Sequence, residues 1–151
     1  MRVSAKADYA VRAAVELAVS GEDPLTAEIV AQRQQIPVQF LQKIFHELRR
    51  AQLVSSQRGP DGGYRLARPA AEITVADVIR AVEGPLATVR GNPPEALHYA
   101  GAAAPLQEVW IALRTNLRAV LEGVTLADLA AAHLPRRVAT LAHNPESWVT
   151  R

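Results

Sequence analysis

The segment Arg58-Gly59-Pro60-Asp61-Gly62-Gly63 constrains this chain more than any other. Three glycines and a proline within six residues cannot continue a helix or a central strand. The runs on either side, Leu53-Val54-Ser55-Ser56-Gln57 and Tyr64-Arg65-Leu66-Ala67-Arg68, suit short strands. The whole predicts a two-stranded hairpin. An isolated hairpin is marginal in water, so this one must lean on the helices that precede it.

Those helices are legible. Residues 4–20 read as a helix capped by Ser4. Asp8, Arg12 and Glu16 follow one another at i, i+4 and i+8 and form a single narrow polar stripe. The rest is Ala, Val, Leu and Tyr9, so the helix must be covered on several sides, more than one small domain is expected to supply. Gly21 to Leu25 read as a turn. Thr26 then caps a second helix to about Gln34, with Glu28 near its positive end. Ile36-Pro37 is the next break, and a third helix spans about residues 38–51. Two short helices joined by a few residues outline a helix-turn-helix.

After the hairpin, Thr74 opens a helix to about Glu83, with Asp77 placed for a capping box. Gly84-Pro85 ends it, and residues 85–104 read as a long irregular loop. A long helix of about residues 105–123 follows. On it Leu106, Val109, Trp110, Leu113, Leu117, Val120 and Leu121 share about 120° of arc. Thr125 starts a short helix to about His133, and residues 135–151 look irregular. The fold class is therefore mainly α with a small β-hairpin.

The 151 residues suit one domain, or a small domain with a helical arm. Cysteine is absent, which excludes disulfides, thiolate catalysis, Cys-ligated zinc and ordinary iron–sulfur clusters. No secretory signal and no bilayer-spanning apolar run are visible, so the expected location is the cytoplasm, away from membranes. The net charge is only +2, but it is unevenly placed. Residues 1–32 balance at −2, residues 33–68 at +5 and residues 69–151 at −1. The positive charge thus coincides with the third helix and the hairpin.

On that third helix Leu41, Ile44, Phe45 and Leu48 form one face. Gln39, Gln42, Lys43, His46, Arg49 and Arg50 cluster within about 120° on another, and the only acid, Glu47, falls outside that arc. Solvated helix faces usually mix both signs. A face of amides, an imidazole and cations suits double-stranded DNA, where Gln pairs with adenine and Arg or Lys with guanine. Arg58 beside Gly59 at the hairpin tip can enter a minor groove. The plainer alternatives are a solvated polar face and an incidental Arg on a tight turn. A phosphate loop is a poor alternative, because no Lys-Ser or Lys-Thr follows the glycines.

Helix-turn-helix, hairpin and helical arm, in that order, resemble a winged-helix regulator. The chain is similar to the bacterial family of transcription regulators often called Rrf-two. The similarity runs through Ser4 to Val11 (SAKADYAV), Ile36 to Leu48 (IPVQFLQKIFHEL), Leu53 to Leu66 (LVSSQRGPDGGYRL), Ile73 to Gly84 (ITVADVIRAVEG) and Val124 to Leu129 (VTLADL). The resemblance implies a winged helix-turn-helix domain over residues 1–84, a loop over 85–104 at the sensor position, dimerisation helices over 105–134 and a tail over 135–151. It implies a homodimer, probing a palindromic operator with half-sites about 34–36 Å apart. Bases would be read from the positions of Gln39 and Gln42, and Arg58 would be the wing's minor-groove arginine. Repression is the expected sign of regulation.

The resemblance fails at one place. Many family members hold an iron–sulfur cluster through three cysteines in the loop before the long helix. Here Gly91 and Ala104 stand at the outer positions, with His98 near the middle one. Asp8, a fourth ligand in some members, is expected to pair with Arg12 instead. His46, His98, His133 and His143 are scattered, so no metal site is expected. No cofactor and no catalytic constellation is expected either. Three alternatives stay open: a small organic effector, for which His98, Tyr99, Trp110 and Trp148 are the candidate contacts, a regulatory protein, or no sensing at all. The competing function is a winged-helix interaction module that does not bind DNA strongly.

Overall fold

The computed structural model describes residues 2–150, so the first residue of the expected domain and the last of the expected tail lie outside it. The helices are α1 (Ala5–Ser20), α2 (Ala27–Gln34), α3 (Val38–Arg50), α4 (Val75–Glu83), α5 (Leu106–Leu121), α6 (Leu126–Ala130) and α7 (Arg136–Ala142). Strands β1 (Val54–Gln57) and β2 (Gly63–Leu66) form an antiparallel hairpin with Val54 opposite Leu66 and Gln57 opposite Gly63.

The helix starts follow the capping logic of the sequence. The Ser4 and Thr26 side chains accept hydrogen bonds from the amides of Ala7 and Ile29 at 3.0 and 3.2 Å. Thr74 with Asp77, and Thr125 with Asp128, each form a complete capping box. These two boxes also face each other. Val75 N–H donates to the Val124 carbonyl, and Leu126 N–H to the Ile73 carbonyl, both at 2.9 Å. The similar runs Ile73-Thr74-Val75-Ala76-Asp77 and Val124-Thr125-Leu126-Ala127-Asp128 thus pair back to back and fix α6 beside α4.

α1 is the hub. It packs against α2, α3, α4, α6 and β2, and Ala7, Ala10, Ala13, Ala14 and Leu17 are buried. Small side chains let those neighbours approach closely. The winged-helix segment does not cover this helix alone: α6, from beyond it, packs on it too, and Ala5, Asp8 and Val19 stay exposed. The core adds Leu41, Ile44, Phe45 and Leu48 from α3, together with Val30, Ile73, Val78 and Leu126. Fully burying each larger side chain contributes roughly 1.5–3 kcal/mol. Leu126 is wholly buried, so α6 belongs to this core and not to a projecting arm.

Two further differences concern the C-terminal half. The loop before α5 contains short 3-10 turns at Pro94–Ala96 and Gly101–Ala103, and Pro94 and Leu97 are buried. The tail read as irregular contains α7 and a 3-10 turn at Pro145–Trp148. Pro135 precedes the first turn of α7, where its missing N–H costs nothing.

Candidate nucleic-acid interface

α3 is strongly two-faced. Leu41, Ile44, Phe45 and Leu48 are buried, while Gln39, Gln42, Lys43, His46, Arg49 and Arg50 are all exposed. The structure therefore presents all six side chains of the arc to solvent on one helix. Glu47, the acid outside it, is drawn away by α1: its Oε2 lies 2.8 Å from Lys6 Nζ, which also donates to the Val82 carbonyl at 2.7 Å. The reading face is thereby free of negative charge.

The polar stripe of α1 orients α2. Asp8 pairs with Arg12 at 2.9 Å, as expected from their spacing. Arg12 Nε donates to the Gln34 side chain at 3.1 Å, and a second guanidinium nitrogen donates to the Gln34 carbonyl at the C-terminus of α2. Arg33 pairs with Glu16 at 3.2 Å. These contacts fix the end of α2, and so the turn that aims α3. Gln35 turns that corner in the left-handed region, with φ 54°.

The hairpin leans on the helices in two ways. Leu25 exchanges main-chain hydrogen bonds with Tyr64 at 2.9 and 2.7 Å, adding a third, one-residue strand. The Tyr64 ring stacks on Phe45, with centroids 4.2 Å apart and planes 9° off parallel. Sequence reasoning missed both, because Leu25 sits in a Pro-containing turn and gives no strand signal. Gly63 makes the bridge feasible: a Cβ there would lie 2.6 Å from the Leu25 carbonyl carbon and oxygen. Gly62 is equally confined, 2.3 Å from the Gln57 carbonyl oxygen by the same construction.

Arg58 and Gly59 are exposed at the tip, and Gly59 has φ +109°, a region open to glycine. Arg49 donates to Ser56 Oγ at 3.2 Å and so ties α3 to β1. Arg65 pairs with Glu22 at 3.6 Å. Among the described residues, Lys43, Arg50 and Arg58 have no ion-pair or hydrogen-bond partner for their side chains. Three unneutralised cations on one helix and one adjoining tip form a surface suited to phosphates and base edges.

The other candidate residues are placed elsewhere. Along α5, Leu106, Val109, Trp110, Leu113, Leu117 and Val120 share a side, yet no residue of that helix is buried within the chain. Val109 is 54% exposed. An open groove of about 740 Å³ lies between α5, the start of α1, the end of α4 and residues 84–90. Trp110 lines it, with Leu113, Leu117 and Leu121. Tyr99 accepts a 3.0 Å hydrogen bond from the Trp110 indole but does not line the groove, and His98 is exposed outside it. Trp148 is 78% exposed in the tail and donates to the Ala142 carbonyl. The four are therefore not one cluster.

Arg114 reaches from α5 to Glu95, and Gln107 donates to the Pro94 and Glu95 carbonyls at 3.2 Å. A backbone N–H and the Arg114 guanidinium hold the Glu95 carboxyl below its usual range. Asp128 is lowered too, first by the backbone N–H of Thr125 and then by its hydroxyl.

A family model described as an iron-dependent transcriptional regulator, Rrf2, matches residues 3–132. A Mycobacterium tuberculosis protein carrying an HTH-type regulator name is 50% identical over 143 residues, covering 94% of this chain and 89% of its own. The HTH-type transcriptional regulator CymR of Bacillus subtilis is 36% identical over 132 residues, covering 87% and 91%. The solved structure of CymR, the global cysteine regulator of B. subtilis, superposes with a TM-score of 0.74 at 35% identity, over 87% of this chain and 98% of that one. IscR of T. potens superposes with a TM-score of 0.70 at 31% identity, over 100% and 93%.

The iron in that family description does not fit the donors present here. The chain has no cysteine, Gly91 and Ala104 offer no side-chain ligand, and no three His, Asp or Glu side chains converge among the described residues. Among those residues no helix is long and apolar enough to cross a membrane. The family and its named relatives are transcriptional regulators and not enzymes. Winged-helix architecture, the donor face on α3 and a match across nearly the whole length converge on one assignment: this chain belongs to the Rrf2 family of transcriptional regulators.

Proposed function

We propose that this chain is a homodimeric cytoplasmic repressor that reads a palindromic operator. The observation that carries the reading is the acid-free exposed face of α3 beside the unpartnered Arg58 of the wing. Gln39 and Gln42 read base edges, Lys43, His46, Arg49 and Arg50 contact phosphates or guanine, and Arg58 with Gly59 enters the minor groove. The segment through α4 is the reading domain, residues 85–104 are the input loop and α5 is the dimerisation arm. A 16-residue helix with an apolar side and no buried residue supports that role, because a second copy would cover it.

Input without iron is the second part of the reading. The groove beside Trp110 favours a small organic effector or a regulatory protein over a metal. A module that keeps the fold without reading DNA would have no need of an acid-free arc. Selection of bound sequences from a random duplex pool tests the assignment. It should return an inverted repeat whose half-site centres are about one helical turn, 34–36 Å, apart. A pool that fails to enrich any sequence would refute it.

A further inference from the structure

Phe40 does not belong with its surroundings on α3. It is a large aromatic, 56% exposed, in the first turn of a helix whose exposed side is otherwise polar. Its neighbours Gln39 and Lys43 are exposed as well. The ring is held from behind. Tyr9 of α1 meets it edge-on, with centroids 6.3 Å apart and planes at 66°, a favoured aromatic arrangement. The Arg12 guanidinium carbon lies 5.4 Å from the Tyr9 centroid, and Arg12 is itself anchored by Asp8 and Gln34. The exposed ring is thus fixed in place on the flank of the helix, outside the donor arc, about 60° round from Lys43 and on the same side as Glu47.

A helix about 10–12 Å across nearly fills a major groove about 12 Å wide. Side chains on the flank of the helix therefore meet the side of the groove. The apolar group that base edges offer there is the C5-methyl of thymine. The polar heads of the amides and cations of α3 do not select for that methyl, whereas a held phenyl ring offers it an apolar surface. We propose that Phe40 is a specificity-determining residue, packing its exposed ring on one thymine methyl in each half-site. This rests on the DNA-reading assignment above and adds a base preference to it.

The test uses the full chain and the duplex returned by selection from random sequence. Each thymine is replaced singly by deoxyuridine, which removes only the methyl group. At one position per half-site the wild-type protein should lose about three- to fivefold in affinity, the value of one buried methyl. Phe40→Ala should bind the thymine and deoxyuridine duplexes equally, and Phe40→Leu should keep part of the preference. Wild-type indifference to every replacement would overturn the proposal, and so would a full preference retained by Phe40→Ala. If no sequence is enriched at all, the DNA-reading assignment falls and this proposal with it. Enrichment without methyl dependence overturns this proposal alone.

Discussion

Gly63→Ala should detach the wing without touching a single DNA-facing side chain. The added Cβ would stand 2.6 Å from the carbonyl carbon and oxygen of Leu25, so the two segments must separate. Separation breaks the paired hydrogen bonds between Leu25 and Tyr64, at 2.9 and 2.7 Å. Two such bonds contribute about 1–3 kcal/mol together. Holding alanine at φ +152° adds about 1–2 kcal/mol of backbone strain. The expected loss is about 2–5 kcal/mol, a large share of a typical domain's stability of about 5–15 kcal/mol. Tyr64 then loses its stacking on Phe45, so Arg58 loses its register relative to α3. Gly59→Ala is the control. Its Cβ meets nothing within 4 Å, so only backbone strain at φ +109° applies, about 1–2 kcal/mol. Urea denaturation followed by circular dichroism reads both variants. A Gly63→Ala protein within about 0.5 kcal/mol of wild type would refute the reasoning, because the bridge to Leu25 would then hold nothing.

Other substitutions probe the remaining parts. Val109→Glu, at an exposed apolar position on α5, should convert a dimer to monomers in analytical ultracentrifugation while leaving helix content unchanged. A persisting dimer would remove this side of α5 from the interface. Acidification tests the second capping box. Asp128 has its folded pKa lowered from the ordinary 3.8, so its contribution is fully present above that unfolded value and is lost as pH falls from there through the lower folded value. The denaturation midpoint should fall below about pH 4, and Asp128→Asn should flatten that dependence. An identical pH profile in the variant would contradict the assignment.

Local chemistry made much of this legible from sequence. Ser4, Thr26, Thr74 and Thr125 sit where helices start, and their hydroxyls cap them. The two faces of α3 followed from a period near 3.6 residues. What escaped was tertiary. Leu25 becomes a strand partner only because Gly63 lets its backbone approach, a fact that neither segment declares alone. The apolar circumference of α1 shows that it needs cover from several sides, but not that α6 would supply part of it. Trp148 and Trp110 are candidates for one pocket in the sequence, but Trp148 sits in the exposed turn Pro145–Trp148 and does not line the groove. Phe40 gave no signal, since exposure of an aromatic is a property of the packed molecule.

The central claim is that α3 and the wing together read DNA. Equilibrium binding of the selected duplex by wild type, Gln42→Ala and Arg58→Ala tests it most directly. Both side chains are exposed, so neither substitution should shift the unfolding transition. Each should weaken specific binding by about 1–3 kcal/mol, and wild-type affinity should fall steeply as salt rises. Wild-type affinity retained in both variants would contradict the account.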